Sequence, residues 1–355
     1  MSLVEQTLAA IVPLDVAAER AASRRLDSLT KPPGSLGYLE DFVRRYAAIR
    51  HDAAARFGGG ALMVFVADHG VADAAVSAYP KAVTAEMLRN IGAGGAAISV
   101  LARSFGYQLL VTDVGVETDT SFSPLPGVRY RRVGAGTRNL LEGPAMSLEE
   151  ARRALEIGIE AAHQTAVGGA TLVGIGEMGI GNSTSAAAIL AALTGLEARR
   201  LVGRGTGLDD AGLKRKIGVV EAALRLHWKC FSDGLQTLAA LGGFEIAAMV
   251  GACLAAAAHN LPMVIDGFIA TAAAAIAQKI RPGLSDYMFF GHCSAEGGHS
   301  IVLERLGAHP ILALGMRLGE GTGAALAMKT IESALALFHQ MATFSSAGVS
   351  GRLEQ

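Results

Sequence analysis

The sequence predicts an α/β protein: a Rossmann-like, mostly parallel sheet with helices on both faces, plus a small helical lobe built from the two chain ends. Three observations carry this prediction. Short, wholly apolar runs recur along the chain, as buried parallel strands require. Stretches with helical apolar spacing separate them. Polar residues sit at the ends of the runs, where open α/β sheets bind ligands. Those residues are Asp68, Asp113, Glu177, Asp266, His292 and Glu320, and a single crevice is expected to collect them.

Taken in order, residues 3–28 have helical spacing broken at Pro13. Thr30-Lys31-Pro32-Pro33-Gly34-Ser35-Leu36-Gly37 holds two prolines and two glycines and reads as an ordered turn. A helix follows over about 38–56. Ala61-Leu62-Met63-Val64-Phe65-Val66-Ala67 is the first strand, ending in Asp68-His69-Gly70. Residues 84–104 read as helix and Leu109 to Val114 as strand. Ser147-Leu148-Glu149-Glu150 opens a helix to about 166 with a capping box. Ala170 to Val173 is a strand, followed by helices at 183–194, 209–230 and 234–258. Pro262 to Asp266, Tyr287 to Phe290 and Ile311 to Leu314 are the remaining strands, with helices at 268–280 and 322–341. The expected division is 1–56 for the N-terminal part of the small lobe, 57–324 for the core, and 325–355 for the C-terminal helix of the lobe.

The 355 residues suffice for a large core. They are 51% hydrophobic but only 5% aromatic, and much of the apolar content is helical alanine. Mean hydropathy of +0.37 therefore does not indicate a membrane protein. The apolar runs at 247–258 and 268–277 fall short of the roughly 18 residues that span a bilayer. Glu5 interrupts any N-terminal signal segment. The net charge of −1 comes without a basic stripe, which argues against nucleic acid as a partner. Three cysteines, Cys230, Cys253 and Cys293, suggest neither a disulfide framework nor a zinc ribbon. A cytoplasmic location is expected.

The segment Gly174-Ile175-Gly176-Glu177-Met178-Gly179-Ile180-Gly181-Asn182-Ser183-Thr184 reads as a glycine loop between strand and helix. Free N–H groups and the helix dipole favour an anion there. A phosphate cradle gains nothing from a carboxylate, so Glu177 points to chemistry beside the phosphate. The alternative is an ordinary tight turn.

Gly203-Arg204-Gly205-Thr206-Gly207-Leu208-Asp209-Asp210 is a second such loop, with Lys214, Arg215 and Lys216 one turn further on. It reads as a phosphate site or as a flexible loop before a solvated basic face. Neither loop has the spacing of a dinucleotide fingerprint or a Walker loop. His292, Cys293, Glu296 and His299 are metal-capable, but their spacing and glycines favour a substrate-lining loop or a polar network. The neighbours Asp68 and His69 point in opposite directions on a strand end, which favours a packing or supporting role for His69. Glu320, in Leu318-Gly319-Glu320-Gly321-Thr322-Gly323, is either a general base with a raised pKa or a glutamate favoured by a helix start.

These motifs together resemble the nicotinate-nucleotide–dimethylbenzimidazole phosphoribosyltransferase family (CobT). The resemblance runs through Lys31 to Gly37, Ala67-Asp68-His69-Gly70-Val71, Ser77-Ala78-Tyr79-Pro80, the Glu177 loop, Gly203 to Asp210, Asp266-Gly267-Phe268, His292 to His299 and Leu314 to Gly323. It implies transfer of phosphoribose from nicotinate mononucleotide to 5,6-dimethylbenzimidazole, releasing nicotinate and inverting a β- to an α-glycosidic bond. It further implies a homodimer that uses no cofactor or metal.

By the same resemblance, Glu320 accepts the benzimidazole proton and Glu177 supports the oxocarbenium-like centre. Gly179, Gly205, Gly207 and Lys216 match the phosphate and nucleotide region. Ser77, Met87, Ser294 and Leu318 match the base slot, and Met178 and Asp266 belong with the substrate-binding residues. The family often has glutamine where this chain has Glu86; a carboxylate there alters which base is accepted or bonds a benzimidazole N–H. The rival readings are a relative using adenine or a phenol, a nucleotide-binding regulator without turnover, and a nicotinamide-dependent oxidoreductase. The last is disfavoured by the missing fingerprint.

Overall fold

Strands buried on both faces lose the polar alternation of an exposed sheet, and here they assemble into one parallel sheet. The computed structural model describes residues 1–118 and 124–350. Residues 351–355 of the expected C-terminal segment lie outside them. The strands are β1 (Gly60–Ala67), β2 (Gln108–Gly115), β3 (Val128–Tyr130), β4 (Leu172–Met178), β5 (Met263–Ile265), β6 (Met288–His292) and β7 (Pro310–Leu312). Their order is β3-β2-β1-β4-β5-β6-β7, and every pairing is parallel. Sequence direction along the sheet reverses between β1 and β4, the place where such folds open a crevice beyond the strand ends.

Helices flank the sheet. They are α1 (Leu3–Ala10), α2 (Val16–Ser28), α3 (Tyr38–Arg50), α4 (Ala82–Gly92), α5 (Ala97–Phe105), α6 (Leu148–Val167), α7 (Asn182–Thr194), α8 (Ala198–Leu201), α9 (Asp210–His227), α10 (Gly234–Leu241), α11 (Phe244–Ala258), α12 (Phe268–Ile280), α13 (His299–Arg305), α14 (Thr322–Gln340) and α15 (Phe344–Ala347). Helix α11 lies against β1, β2, β4 and β5, and α14 against β4 to β7. Small residues let α6 and α11 touch backbone to backbone. A Cβ on Gly158 would meet Ala248 O at 1.8 Å, and one on Gly251 would meet Leu155 O at 1.9 Å. The two chain ends meet where Arg25 Nε donates to Phe338 O (3.2 Å) and Thr30 N to Ala342 O (3.0 Å).

Several boundaries differ from expectation. Strand β4 runs on to Met178, so Gly174 and Gly176 are strand residues and not part of a loop. They are glycines because α14 and the turn before it press on the strand. A Cβ on Gly174 would lie 2.8 Å from Met328 Sδ, and one on Gly176 2.3 Å from Gly321 N. The helix expected at 84–104 divides into α4 and α5 around Gly94, whose φ is +85°. Gly242 and Gly243, in extended backbone, divide 234–258 into α10 and α11. Strand β3 and helix α13 arise where no regular element is expected.

Candidate active site

The C-terminal ends of β4, β5 and β6 and the turn before α14 enclose a cavity of about 400 Å³. Its acidic wall is built by three carboxylates from separate elements. Glu177 comes from the end of β4, Asp266 follows β5, and Glu320 precedes α14; they are 6%, 2% and 3% exposed. Glu320 N donates to Glu177 O (3.0 Å), so the turn is stitched directly to the strand end. That turn is conformationally demanding. Gly319, Glu320 and Gly321 all have positive φ, of 85°, 63° and 86°. A glutamate in left-handed backbone between two glycines is a local cost that folding alone gives no reason to bear.

Each carboxyl is biased toward its neutral form. Burial holds Glu177 well above the usual carboxylate range; the charges of Glu245, Asp266 and Glu320 push the same way, while the Asn182 side chain opposes. Asn182 Nδ2 donates to Glu177 Oε2. Burial raises Asp266 to about 7 although it caps α14, accepting from Ala324 N (2.8 Å) and Gly321 N (3.3 Å). Burial also raises Glu320, opposed by the Ile98 N–H that reaches its Oε2 at 3.3 Å.

The opposite wall is the 203–207 loop. Gly205 N donates to both oxygens of Glu296 (2.9 and 3.1 Å), and the fully buried Lys216 ammonium lies 3.7 Å from Glu296 Oε1. Lys216 Nζ also donates to Ser183 Oγ (2.9 Å) and Gly203 O (3.3 Å). Burial pulls this ammonium below its ordinary value, with Glu296 opposing. Arg317 Nη1 donates to Gly205 O (2.8 Å) and joins the two walls at the cavity mouth.

Of the residues singled out from sequence, Glu177, Glu320, Met87, Met178, Gly179, Gly205, Asp266, Ser294 and Leu318 line the cavity. Four do not. Lys216 lies behind Ser183, which does line it. Ser77 lies behind Thr206, Oγ to Oγ1 at 3.0 Å. Gly207 (φ +113°) and Glu86 are exposed and outside the lining.

The expectation of a single crevice needs correction. His292 joins Glu177, Asp266 and Glu320, but Asp68 and Asp113 stand apart. Asp68 Oδ2 accepts from Glu117 N (2.8 Å) and borders a different, polar cavity with Lys81 and Arg138. Asp113 Oδ1 accepts from Gly115 N and Val116 N and turns the chain after β2. Asp68 follows β1, the neighbour of β4, but its carboxylate is engaged by the Glu117 amide away from the cavity, and Asp113 lies on β2, one strand further out.

The metal-capable segment is a polar network. His299 Nδ1 accepts from Ser294 N (2.9 Å) and its Nε2 faces Thr271 Oγ1 (3.0 Å). Burial pushes this imidazole down to about 3, helped by His292. Glu296 is engaged by the loop as described. Asn182 and Arg317 were missed from sequence. Both lay within highlighted stretches, but nothing in their spacing tells that Asn182 turns back to Glu177 or that Arg317 reaches the 203–207 loop.

The chain has known relatives. A phosphoribosyltransferase family model matches residues 11–349. The chain belongs to this phosphoribosyltransferase family. The nicotinate-nucleotide–dimethylbenzimidazole phosphoribosyltransferase of Geobacter sp. (strain M21) is 47% identical over 350 residues, 99% of this chain and 100% of that protein. The enzyme of the same name from Chloroflexus aurantiacus (strain J-10-fl) is 48% identical over 353 residues, covering 99% of this chain and 100% of the relative. The crystal structure of CobT from Thermus thermophilus superposes with a TM-score of 0.89 at 47% identity, covering 94% of this chain and 99% of that one. The phosphoribosyltransferase fold read from sequence is thus also the fold of a solved relative, and no helix among the described residues is long and apolar enough to cross a membrane.

Proposed function

We propose that this protein transfers phosphoribose from nicotinate mononucleotide to 5,6-dimethylbenzimidazole, giving α-ribazole 5′-phosphate and nicotinate, as a step in making the lower ligand of cobalamin. Glu320 carries the reading: a buried carboxyl with a raised pKa, held in left-handed backbone at the wall of a cavity of suitable size. One benzimidazole nitrogen attacks C1′ of the ribose as Glu320 takes the proton from the other. The C1′–N bond to the pyridinium breaks and its electron pair neutralises the ring nitrogen, so nicotinate leaves. Attack on the face opposite the leaving group inverts the centre from β to α.

Glu177, fixed by Asn182, faces the same space and supports the cationic ribosyl centre as charge develops. Met87, Met178 and Leu318 offer apolar surface to the flat base, beside Ser294. Ser183, Gly205 and Thr206 are placed for the phosphate, with Lys216 beneath them and Gly179 leaving room for the nucleotide. Asp266 holds the start of α14, and with it the Glu320 turn. The exposed position of Glu86 gives no reason to choose another acceptor base.

We also propose a cytoplasmic homodimer. The three free thiols accord with a reducing compartment. An open furrow of about 590 Å³ beside edge strand β7, bordered by Tyr38, Phe42 and Ile311, offers apolar surface to a second copy. The contact of Arg25 in α2 with Phe338 in α14 supports treating 1–56 and 325–355 as one small lobe.

The reaction is tested by mixing the protein with nicotinate mononucleotide and 5,6-dimethylbenzimidazole and following products by chromatography. An α-configured nucleotide with matching nicotinate is expected. Binding of nicotinate mononucleotide without product from this or other bases would reduce the cavity to a binding site.

A further inference from the structure

His69 follows β1 and is 1% exposed. Its ring joins two other elements. Nε2 lies 2.7 Å from Glu245 Oε1 in the first turn of α11, and Nδ1 lies 3.1 Å from Ser185 Oγ in α7. Glu245 and Ser185 are fully buried. The connectivity is that of a serine–histidine–carboxylate triad, but none of the three lines the cavity. Ser185 therefore has no route to a substrate and is not a nucleophile.

The surroundings are shaped to the ring. A Cβ on Gly243 would lie 2.2 Å from His69 Cε1, and one on Gly181 3.3 Å from His69 Cβ. Glu245 Oε2 is buried without a hydrogen-bond partner among the described residues. A half-satisfied buried carboxylate is a costly way to anchor a helix, since a neutral pair would serve. Ser185 lies one turn after Asn182, the residue that donates to Glu177. A continuous line thus runs from α11 through His69 to the first turn of α7, and from there through Asn182 to the cavity wall.

We propose that Glu245 and His69 are positioning residues for the phosphoribosyl transfer, holding the Asn182–Glu177 pair in place from behind the cavity wall. This rests on the assignment of Glu177 to the reaction made above. The charged groups facing Glu177 are Glu245, Asp266 and Glu320, and Glu245 alone of these lies outside the cavity. Its charge favours the neutral form of Glu177. Removing it lowers the pKa of Glu177, so the limb of the rate profile that reports Glu177 moves to lower pH.

The test is a double-mutant cycle of Glu245→Gln and Glu177→Gln, reading kcat, KM for nicotinate mononucleotide and the pH profile of kcat. Glu245→Gln should lower kcat on the order of tenfold, as small misplacements of catalytic groups do. KM should stay within about twofold, the Glu177 limb should shift toward acid, and the change should cost less than about twofold in the Glu177→Gln background. His69→Gln and Ser185→Ala, with kcat measured beside thermal stability, make the same decision if Glu245→Gln does not fold. An impaired Glu177→Gln beside a Glu245→Gln of normal kcat and unshifted profile overturns the positioning role and leaves Glu177 in place. A silent Glu177→Gln overturns the assignment of Glu177 itself, and the positioning role with it.

Discussion

The two walls of the cavity both bury glutamates, but they treat the charge in opposite ways. On the loop wall, Glu296 has a lysine at 3.7 Å and the Gly205 amide on both of its oxygens. On the acidic wall, Glu320 has one amide at 3.3 Å, and no salt bridge reaches it among the described residues. A buried carboxylate that is neutralised and bonded is part of the scaffold. One that is buried and left without a cation stays poised to take a proton. On the function proposed above, the two walls divide the work, the loop wall holding the nucleotide and the acidic wall moving the proton.

The sharpest way to break this contrast is to remove each carboxylate in turn. Glu320→Gln should reduce kcat on the order of 10²–10⁴-fold, the scale of a lost general base, while nicotinate mononucleotide still binds. Glu296→Gln should act mainly on KM and cost kcat less than about tenfold. Steady-state kinetics on both variants decides, and equal losses of kcat would abolish the distinction.

Lys216→Ala comes next. It strips the loop wall of its buried cation and leaves Glu296 uncompensated, a change worth ~3–5 kcal/mol when one partner of a buried pair is lost. Calorimetric titration should show weakened nucleotide binding and urea titration lowered stability. Unaltered affinity would place Lys216 outside the nucleotide site.

Gly176→Ala tests the backbone contact that carries the acidic wall. Its Cβ would meet Gly321 N at 2.3 Å, so β4 and the Glu320 turn must part. A loss of ~1–3 kcal/mol is expected for such overpacking, with kcat falling more than KM rises. An intact kcat would show that the turn does not need this strand to hold its shape.

The smallest effect is a slope. Asp266 is raised to about 7 in the folded protein, against about 3.9 unfolded. The folded state then holds the extra proton between these values, so this group's contribution to stability is full below about 4 and is lost as pH rises toward 7. Asp266→Asn removes that contribution. On acidification from pH 7 to 5, the urea midpoint of the variant should fall further, or rise less, than that of the wild type. Parallel curves would mean that Asp266 is not proton-bound in this range.

Much of the fold was legible because apolar runs and helical spacing report burial directly. What escaped was short or depended on distant contacts. Strand β3 is three residues long with Arg129 at its centre, and it forms because Val111 to Asp113 offer an edge. Helix α13 starts just beyond Gly297 and Gly298, which read as loop; each is a glycine because the backbone of residues 200–203 passes too close for a Cβ. The glycines of β4 suggested a loop for a related reason, since flexibility and close approach leave the same mark on a sequence.

Residue patterns along the chain were enough for the parallel α/β class and the terminal helices, because hydrophobic periodicity and local turn chemistry need no knowledge of distant residues; the family was legible only through the resemblance of its quoted motifs. Folding in three dimensions was needed to settle which carboxylates share a cavity, that Lys216 stands behind the wall while Asn182 reaches Glu177, and that Glu296 is charge-compensated where Glu320 is not. Those properties are distances between residues far apart along the chain, and the burial that shifts a pKa exists only after the sheet has brought its strand ends together.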